Sequence, residues 1–153
     1  MNKIFIVVGA LIAVGIGYWL VSPLFIEKKV SERLEDIGMP PVPEKSVLPE
    51  TLAQGKFIGL LGHKAEGTAR LVKIGDKYFV RLEDDFRVTN GPDLFVYFGK
   101  DGKYAEEARL GSLKGNIGGQ NYEMPAGIDP LKYNEIWVWC RAFSVAFGKA
   151  ELK

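Results

Sequence analysis

Cysteine and histidine are nearly absent from this sequence of 153 residues, which holds one of each, Cys140 and His63. A single cysteine cannot form a disulfide within the chain, nor supply the CxxC, CxxCH or Cys-rich patterns of redox, c-type haem and zinc sites. A blue-copper site needs two histidines beside its cysteine, so it is excluded within one chain. Iron–sulfur clusters are excluded for the same reason, and zinc is disfavoured because it needs three or four ligands.

An excess of charge of either sign is also missing. Lys and Arg number 20 against 19 acidic residues, and the formal net charge is +1. Phosphate backbones are bound largely through clustered Lys and Arg, so nucleic acid is excluded as a partner. The length allows one ordinary domain of about 100 to 150 residues, and a two-domain enzyme is not expected.

The long hydrophobic run of the sequence lies at the N terminus, where Ile4–Ile26 contains 23 consecutive uncharged residues. At 1.5 Å rise per residue, a helix of this length crosses a hydrocarbon core of ~30 Å. A cleaved signal peptide has a shorter apolar core and ends in a small-residue cleavage site, whereas this run ends in Trp-Leu-Val-Ser-Pro-Leu-Phe. We therefore predict an uncleaved, single-pass transmembrane anchor over residues 4–26, with the lipid bilayer as a partner.

Prolines are concentrated between Met39 and Pro49, directly before the rest of the chain. Such a stretch lacks backbone donors and favours extended, semi-rigid conformations. We predict a juxtamembrane Pro-rich spacer over residues 27–52 and a β-rich domain over residues 53–153. Within the spacer, Val30, Leu34 and Ile37 recur at helical spacing, which leaves a short helix and a solvated turn as alternatives.

From Gly55 onward, short runs rich in Val, Ile, Phe, Tyr and Trp alternate with turn residues such as Gly, Asn, Asp and Pro. No amphipathic helix longer than three turns separates these runs. The predicted fold class is all-β, an antiparallel β-sandwich or barrel preceded by one N-terminal transmembrane helix. The predicted strands are Lys56–Leu61, Thr68–Ile74, Tyr78–Glu83, Asp93–Phe98, Ala108–Leu113, Asn121–Glu123, Glu135–Cys140 and Phe143–Leu152.

Three long stretches of this domain carry a resemblance to a known family. They are DFRVTNGPDLFVYF at Asp85–Phe98, LGSLKGNIGGQNYEMP at Leu110–Pro125 and IWVWCRAFSVAFGKAEL at Ile136–Leu152. Together they resemble the electron-transfer DM-thirteen domain, which is found in bacterial surface proteins and beside DOMON domains in animals and plants. The resemblance covers about residues 54–152, the whole predicted domain.

The resemblance implies a β-rich domain outside the cytoplasm whose proposed role is redox. It implies that a cysteine acts either as a free thiol or in holding a prosthetic group such as haem. The cysteine at the matching place is Cys140, within Trp-Cys-x-x-Phe-x-Val-x-Phe-Gly. A redox partner protein is then expected as well.

The residues around Cys140 allow a plainer interpretation. Ile136, Val138 and Cys140 point to one side of the predicted strand, and the residues between them point to the other. Free cysteine on an aliphatic face is usually a small buried hydrophobe. A lone thiol outside the cell is nevertheless an oxidation liability, which favours a function, and Arg141 could stabilise a thiolate if both side chains faced one pocket.

Haem is the cofactor that the composition still allows, because it needs only one or two axial ligands. The candidate ligands are Cys140, His63 and Met124. His63 lies in a predicted hairpin loop, where exposure to solvent is the more common state. The identity of any cofactor is left open.

Two functions follow from the sequence. The first is a membrane-anchored redox or electron-transfer domain using Cys140, and the alternative is a non-catalytic surface binding or scaffold module with a structural, buried Cys140. Whether the protein is an enzyme is left open, since no nucleophile–base pair stands out. We expect the domain outside the cytoplasm, although Lys28, Lys29 and Arg33 oppose this by the positive-inside rule.

Overall fold

In the computed structural model, the described residues are 3–22, 25–37 and 48–153. The chain begins with helix α1, Lys3–Val21, and two short 3-10 helices follow at Leu34–Asp36 and Pro130–Lys132. The ten strands are β1 Glu50–Gly59, β2 Ala65–Glu66, β3 Thr68–Ile74, β4 Lys77–Leu82, β5 Arg87–Val88, β6 Leu94–Lys100, β7 Lys103–Ser112, β8 Gln120–Glu123, β9 Glu135–Cys140 and β10 Val145–Glu151.

Helix α1 is long and apolar enough to cross a membrane, and it is the one such helix among the described residues. It ends at Val21, five residues before the end of the predicted anchor. The reason is Pro23, because the residue before a proline is driven out of the helical region. None of the side chains of α1 is buried against the rest of the protein.

Eight of the strands form one antiparallel sheet in the order β7-β6-β9-β10-β1-β3-β4-β8, and β2 and β5 form a separate pair. The sheet curls into a nearly closed barrel that brings its edges, β7 and β8, together. Just after β7, the backbone N–H of Lys114 donates to Gln120 Oε1 and to Tyr122 Oη of β8, each at 3.1 Å. The predicted all-β antiparallel class is therefore confirmed, in its barrel-like form.

The barrel interior holds the main hydrophobic core. Strand alternation sends every second side chain inward, so that β9 contributes Ile136, Val138 and Cys140, all fully buried. Leu71, Val80, Leu82, Val96, Phe98 and Phe147 belong to the same core. A second, smaller cluster lies on the outer face of β6, β9 and β10 and contains Phe95, Tyr97, Trp137 and Ala146.

The barrel has two ends, which the register of the strands defines. At one end lie the loops 60–64, 83–93, 113–119 and 141–144, and the chain enters there after α1, with Ile26 O accepting from Asn90 Nδ2 at 3.3 Å. We call this the anchor end. The distal end carries the loops 75–76, 101–102 and 124–134.

The segment Lys28–Arg33, which we call the strap, lies extended against the barrel. The backbone N–H groups of Val30 and Glu32 donate to Ile117 O and Gly119 O, both at 2.9 Å, in a parallel arrangement. The helical alternative for this segment is therefore reduced to the 3-10 turn Leu34–Asp36. The Pro-rich part of the predicted spacer falls largely on residues 38–47, outside the described residues.

Two glycines allow the strap to approach this closely. A Cβ on Gly115 would lie 2.4 Å from Lys28 O, and one on Gly118 would lie 2.1 Å from Val30 O. Both distances are far shorter than a van der Waals contact, so any larger residue would displace the strap. The glycine-rich stretch after β7 is thus explained by close packing of backbone as well as by turns.

Candidate functional site

Cys140 lies at the end of β9, inside the barrel and at its anchor end. Its neighbours across the strands are Leu94 on β6 and Val145 on β10. The residue is 0% exposed and belongs to the main hydrophobic core. The inward direction expected from strand alternation is what the structure shows, and the thiol does not reach solvent.

Arg141 points away from Cys140 and holds the following turn in place. Its guanidinium pairs with Asp93, Nε to Oδ2 at 3.0 Å, and lies over the ring of Phe95 at 4.0 Å from the centroid. The backbone N–H of Arg141 also donates to Asp93 O at 3.0 Å. Arg141 therefore fixes the turn 141–144 on the outer surface and does not face the thiol.

His63 lies at the anchor end and is half-buried. Its ring stacks on that of Phe147, with 3.6 Å between centroids and 10° between planes. This stacking occupies one face of the imidazole, in contrast to the solvent-exposed loop position expected from the sequence.

Met124 is buried and follows β8, and its backbone N–H donates to Tyr78 O at the start of β4. This position is at the distal end, opposite to Cys140 and His63. The structure therefore brings His63 and Cys140 to the same end of the barrel and leaves Met124 at the other.

These three side chains do not converge on one point of the barrel. Cys140 and Met124 lie at opposite ends of the barrel and cannot ligate one iron, and a haem on Cys140 would need an open apolar slot where the core is packed. The part of the chain that the structure describes also holds no cluster of three or more His, Cys, Asp or Glu side chains suited to a metal.

The acidic side chains that follow β4 are engaged by basic partners. Asp85 accepts from Thr68 N at 2.8 Å and from Lys56 Nζ at 3.0 Å, while Glu83 pairs with Arg70 and Arg81. Burial alone would raise the pKa of Asp85, but the hydrogen bonds from Lys56 and Thr68 outweigh it and lower the pKa. These carboxylates stabilise the turn that they flank.

An aromatic cluster on the outer face is the feature that sequence reasoning described least well. Tyr104 packs on Trp139 with 4.3 Å between ring centroids, and Tyr97 meets Tyr104 at 5.2 Å. A surface cavity of about 410 Å³ is lined by Gly102, Lys103, Tyr104, Glu106, Trp137 and Trp139. The alternation of β9 placed both tryptophans opposite Cys140, but only the pairing of β6 with β7 shows that Tyr104 joins them.

Glu135 is a buried carboxylate beside this cluster. It accepts hydrogen bonds from Lys149 Nζ at 2.6 Å, Trp137 Nε1 at 3.0 Å and the backbone N–H of Gly102 at 3.1 Å. Burial would raise the pKa of Glu135, but the bonds from Lys149 and Trp137 and the nearby positive charge lower it below 4.5. Glu135 thus ties β9 to β10 and to the β6–β7 turn in its ionised form.

Comparison with protein families identifies this architecture. A family model described as electron transfer DM13 matches residues 57–152, which is more than half of the chain and spans β1 to β10. The chain therefore belongs to the electron transfer DM13 family, as its motifs predicted. Neither the comparison with curated proteins nor the comparison with solved structures found a match.

Proposed function

We propose that this protein is an electron-transfer domain anchored in a membrane by α1, with residues 27–153 outside the cytoplasm and Cys140 as its redox residue. Two observations support the proposal. The family match covers residues 57–152, which is the barrel except for the first part of β1, and α1 has the length and composition of a membrane span. A redox partner protein at the same membrane surface completes the proposed role.

The assignment to Cys140 is carried by composition and position. Cys140 is the single cysteine of the sequence, so thiol chemistry in this chain can use no other residue. It lies one residue before the turn 141–144, and that turn is held largely by the Arg141–Asp93 pair. Local opening of a surface turn costs less free energy than global unfolding. The thiol would therefore meet a partner when this turn opens.

Thiol reactivity of the full chain in detergent tests this role. An aromatic disulfide reagent, which releases one coloured thiolate for each thiol that attacks it, measures how fast native Cys140 reacts. We expect Arg141→Ala to speed this reaction at least about tenfold, since ~1.4 kcal/mol of lost turn stability has that effect. Lys77→Ala is the matched control, because it removes an exposed ion pair, with Glu123, at the distal end.

If Arg141→Ala reacts no faster than Lys77→Ala, and the thiol reacts only in denaturant, the redox role of Cys140 is wrong. An absorption spectrum of the same membrane-purified protein reports a bound chromophore. A visible band that survives in Cys140→Ala would show that other residues hold the chromophore, and the redox centre would then not be Cys140.

A second candidate function is favoured by the complete burial of Cys140. In that case the protein is a non-catalytic surface binding or scaffold module, and the cysteine is part of the core. Cys140→Ala should then cost about 1 kcal/mol of unfolding free energy through the small cavity it leaves, and partner binding should be unchanged. Loss of a redox phenotype in Cys140→Ala with unchanged folding would contradict this function.

A further inference from the structure

The anchor end of the barrel is held close to the end of α1. Lys28, the first residue of the strap, lies seven residue steps after Val21, the last residue of the helix. Fully extended, they span at most ~25 Å, at about 3.3 to 3.6 Å per residue. The hydrogen bond from Asn90 Nδ2 to Ile26 O and the docking of the strap shorten this reach further. If α1 spans a bilayer, the anchor end must face that bilayer.

Large apolar side chains are exposed at this end. Phe143, in the β9–β10 turn, is 61% exposed, and Leu61, in the turn after β1, is 75% exposed. Phe25 and Ile26, where the chain enters, are exposed as well. Single exposed apolar residues are normal on a protein surface, but four at one end are typical of a surface that binds an apolar partner.

The backbone conformation of Leu61 is unfavourable for a leucine. Its φ is 51°, in the left-handed region where glycine and asparagine are preferred and a branched side chain is strained. Since the side chain is mostly exposed, core packing does not account for a leucine there. An apolar partner outside the barrel does account for it.

Lysines accompany these apolar residues. Lys28, Lys29 and Lys64 are exposed at the anchor end, where the exposed acidic residues include Glu27 and Glu66. Lysines that flank apolar side chains are typical of segments lying at the headgroup level, where the chain reaches water and the apolar group reaches the acyl boundary. The short connection to α1 keeps the anchor end close to the bilayer at all times, whereas nothing among the described residues keeps it close to a soluble protein.

We propose that the anchor end of the barrel is a second membrane contact, in which Phe143 and Leu61 enter the boundary between headgroups and acyl chains. This inference rests on the membrane anchoring by α1 that the proposed function includes, but on neither the redox role nor the orientation. It fixes the barrel axis relative to the membrane and turns the distal end, with the β6–β7 and β3–β4 turns, toward the aqueous side.

Tryptophan quenching in nanodiscs tests the contact on the full chain. The variants Phe143→Trp and Leu61→Trp each add one indole at the anchor end, and Leu131→Trp adds one at the distal end, where the native leucine is 79% exposed. The nanodiscs contain phosphatidylcholine and phosphatidylglycerol, with acyl chains either plain or brominated. The readout is the emission that each variant adds to that of the parent.

Brominated chains should reduce the added emission of Phe143→Trp and Leu61→Trp at least about twofold and leave that of Leu131→Trp unchanged, since bromine quenches indoles at acyl depth. Comparison of the parent with Trp19→Phe shows whether the helix itself is in the bilayer. If Trp19 is quenched but the indoles at positions 143 and 61 are quenched no more than the indole at position 131, the second contact is wrong and the anchor remains. Absence of quenching at Trp19 as well would overturn the anchor and the contact together.

Discussion

Glu135 shows how a single buried charge is satisfied on the outer face of the barrel. Its carboxylate has three donors, from Lys149, Trp137 and the backbone of Gly102, and its side chain is 5% exposed. A buried charge is tolerated when its hydrogen-bonding capacity is filled in this way. The residue therefore holds together strands that are far apart in sequence.

The lowered pKa of Glu135 gives a pH dependence with a definite sign. The folded protein favours the ionised carboxylate, so its stabilisation is present above the unfolded pKa of 4.5 and is lost as the pH falls through the lower folded pKa. We expect Glu135→Gln to lower the unfolding free energy by about 1 to 3 kcal/mol near neutral pH, because charged hydrogen bonds are replaced by neutral ones.

Urea unfolding in detergent, followed by tryptophan fluorescence, measures this difference. The gap between parent and Glu135→Gln should narrow as the pH is lowered from about 5 to about 3. Glu123→Gln is the control, since its partner Lys77 and its own side chain are exposed, and such pairs contribute little. A gap that stays constant over this range would show that ionisation of Glu135 does not stabilise the fold.

For the candidate site residues, the sequence predicted on which face of a strand a side chain lies, but not at which end of the barrel. The period-two alternation of β9 predicted correctly that Cys140 faces the side of Ile136 and Val138. It could not show that Met124 lies at the opposite end of the barrel, because that depends on strand pairings between distant segments. A shared ligand set was therefore a hypothesis that composition alone could not test.

At the scale of elements, six of the eight predicted strands lie within two residues of their observed bounds, and β9 has the predicted bounds, Glu135–Cys140. Strand β1 begins at Glu50, six residues before its predicted start. Strand β7 begins at Lys103, five residues before its predicted start, because the residues Lys103–Glu107 are largely charged and polar and gave no apolar alternation. The pair β2 and β5 was missed, since strands of two residues carry no periodic signal.

The strap is extended and docked on the barrel, whereas the sequence predicted either a short helix or a solvated turn for this segment. Its half-buried Val30 and Glu32 alternate with exposed Ser31 and Arg33, which is the pattern of an extended segment. Glu32 binds Lys114 Nζ at 2.8 Å and Asn121 N at 2.9 Å, and its backbone oxygen accepts from Arg81 at 2.6 Å. Burial would raise the pKa of Glu32, but the bonds from Lys114 and Asn121 lower it. All of these partners are some fifty or more residues away, beyond any local pattern.

Docking of the strap predicts slow amide exchange in a region that resembles a linker. In hydrogen–deuterium exchange of the full chain, the amides of Val30 and Glu32 should be protected, because each donates to the barrel. Gly115→Ala should speed their exchange at least about tenfold, equivalent to ~1.4 kcal/mol, since its Cβ would collide with Lys28 O.

Glu35→Ala is the matched control for this measurement, because Glu35 lies just beyond the strap and its ion pair with Arg33 is exposed on both sides. It should leave the exchange of the strap unchanged. Rapid exchange of Val30 and Glu32 in the parent protein would mean that the strap is not docked in solution, and the short distance between α1 and the barrel would no longer follow.

At the scale of the whole molecule, α1 and the barrel are two units of opposite chemistry joined at one end. The helix exposes its apolar side chains all round, and the barrel buries its own inside. A helix that is apolar on every side suits a lipid environment, whereas an antiparallel barrel that buries its apolar core suits water. Under the proposed anchoring by α1, the barrel lies on one side of the membrane, and its orientation is a separate prediction.

We expect the barrel outside the cytoplasm and the N terminus inside. Lys3 lies on one side of the run, and Lys28, Lys29 and Arg33 lie on the other, so the positive-inside rule opposes this orientation. Long domains, however, translocate largely regardless of charge, so the rule carries less weight for this chain.

Labelling of intact cells with a membrane-impermeant polyethylene-glycol maleimide tests this orientation. Lys103→Cys places an exposed thiol at the distal end of the barrel, while Asn2→Cys places one before α1, and buried Cys140 gives the background of the parent protein. We expect Lys103→Cys to gain mass in intact cells and Asn2→Cys to gain it only after the membrane is broken. The reverse pattern would place the barrel in the cytoplasm. Thiols stay reduced there, so the presence of a lone thiol would no longer favour a function for Cys140.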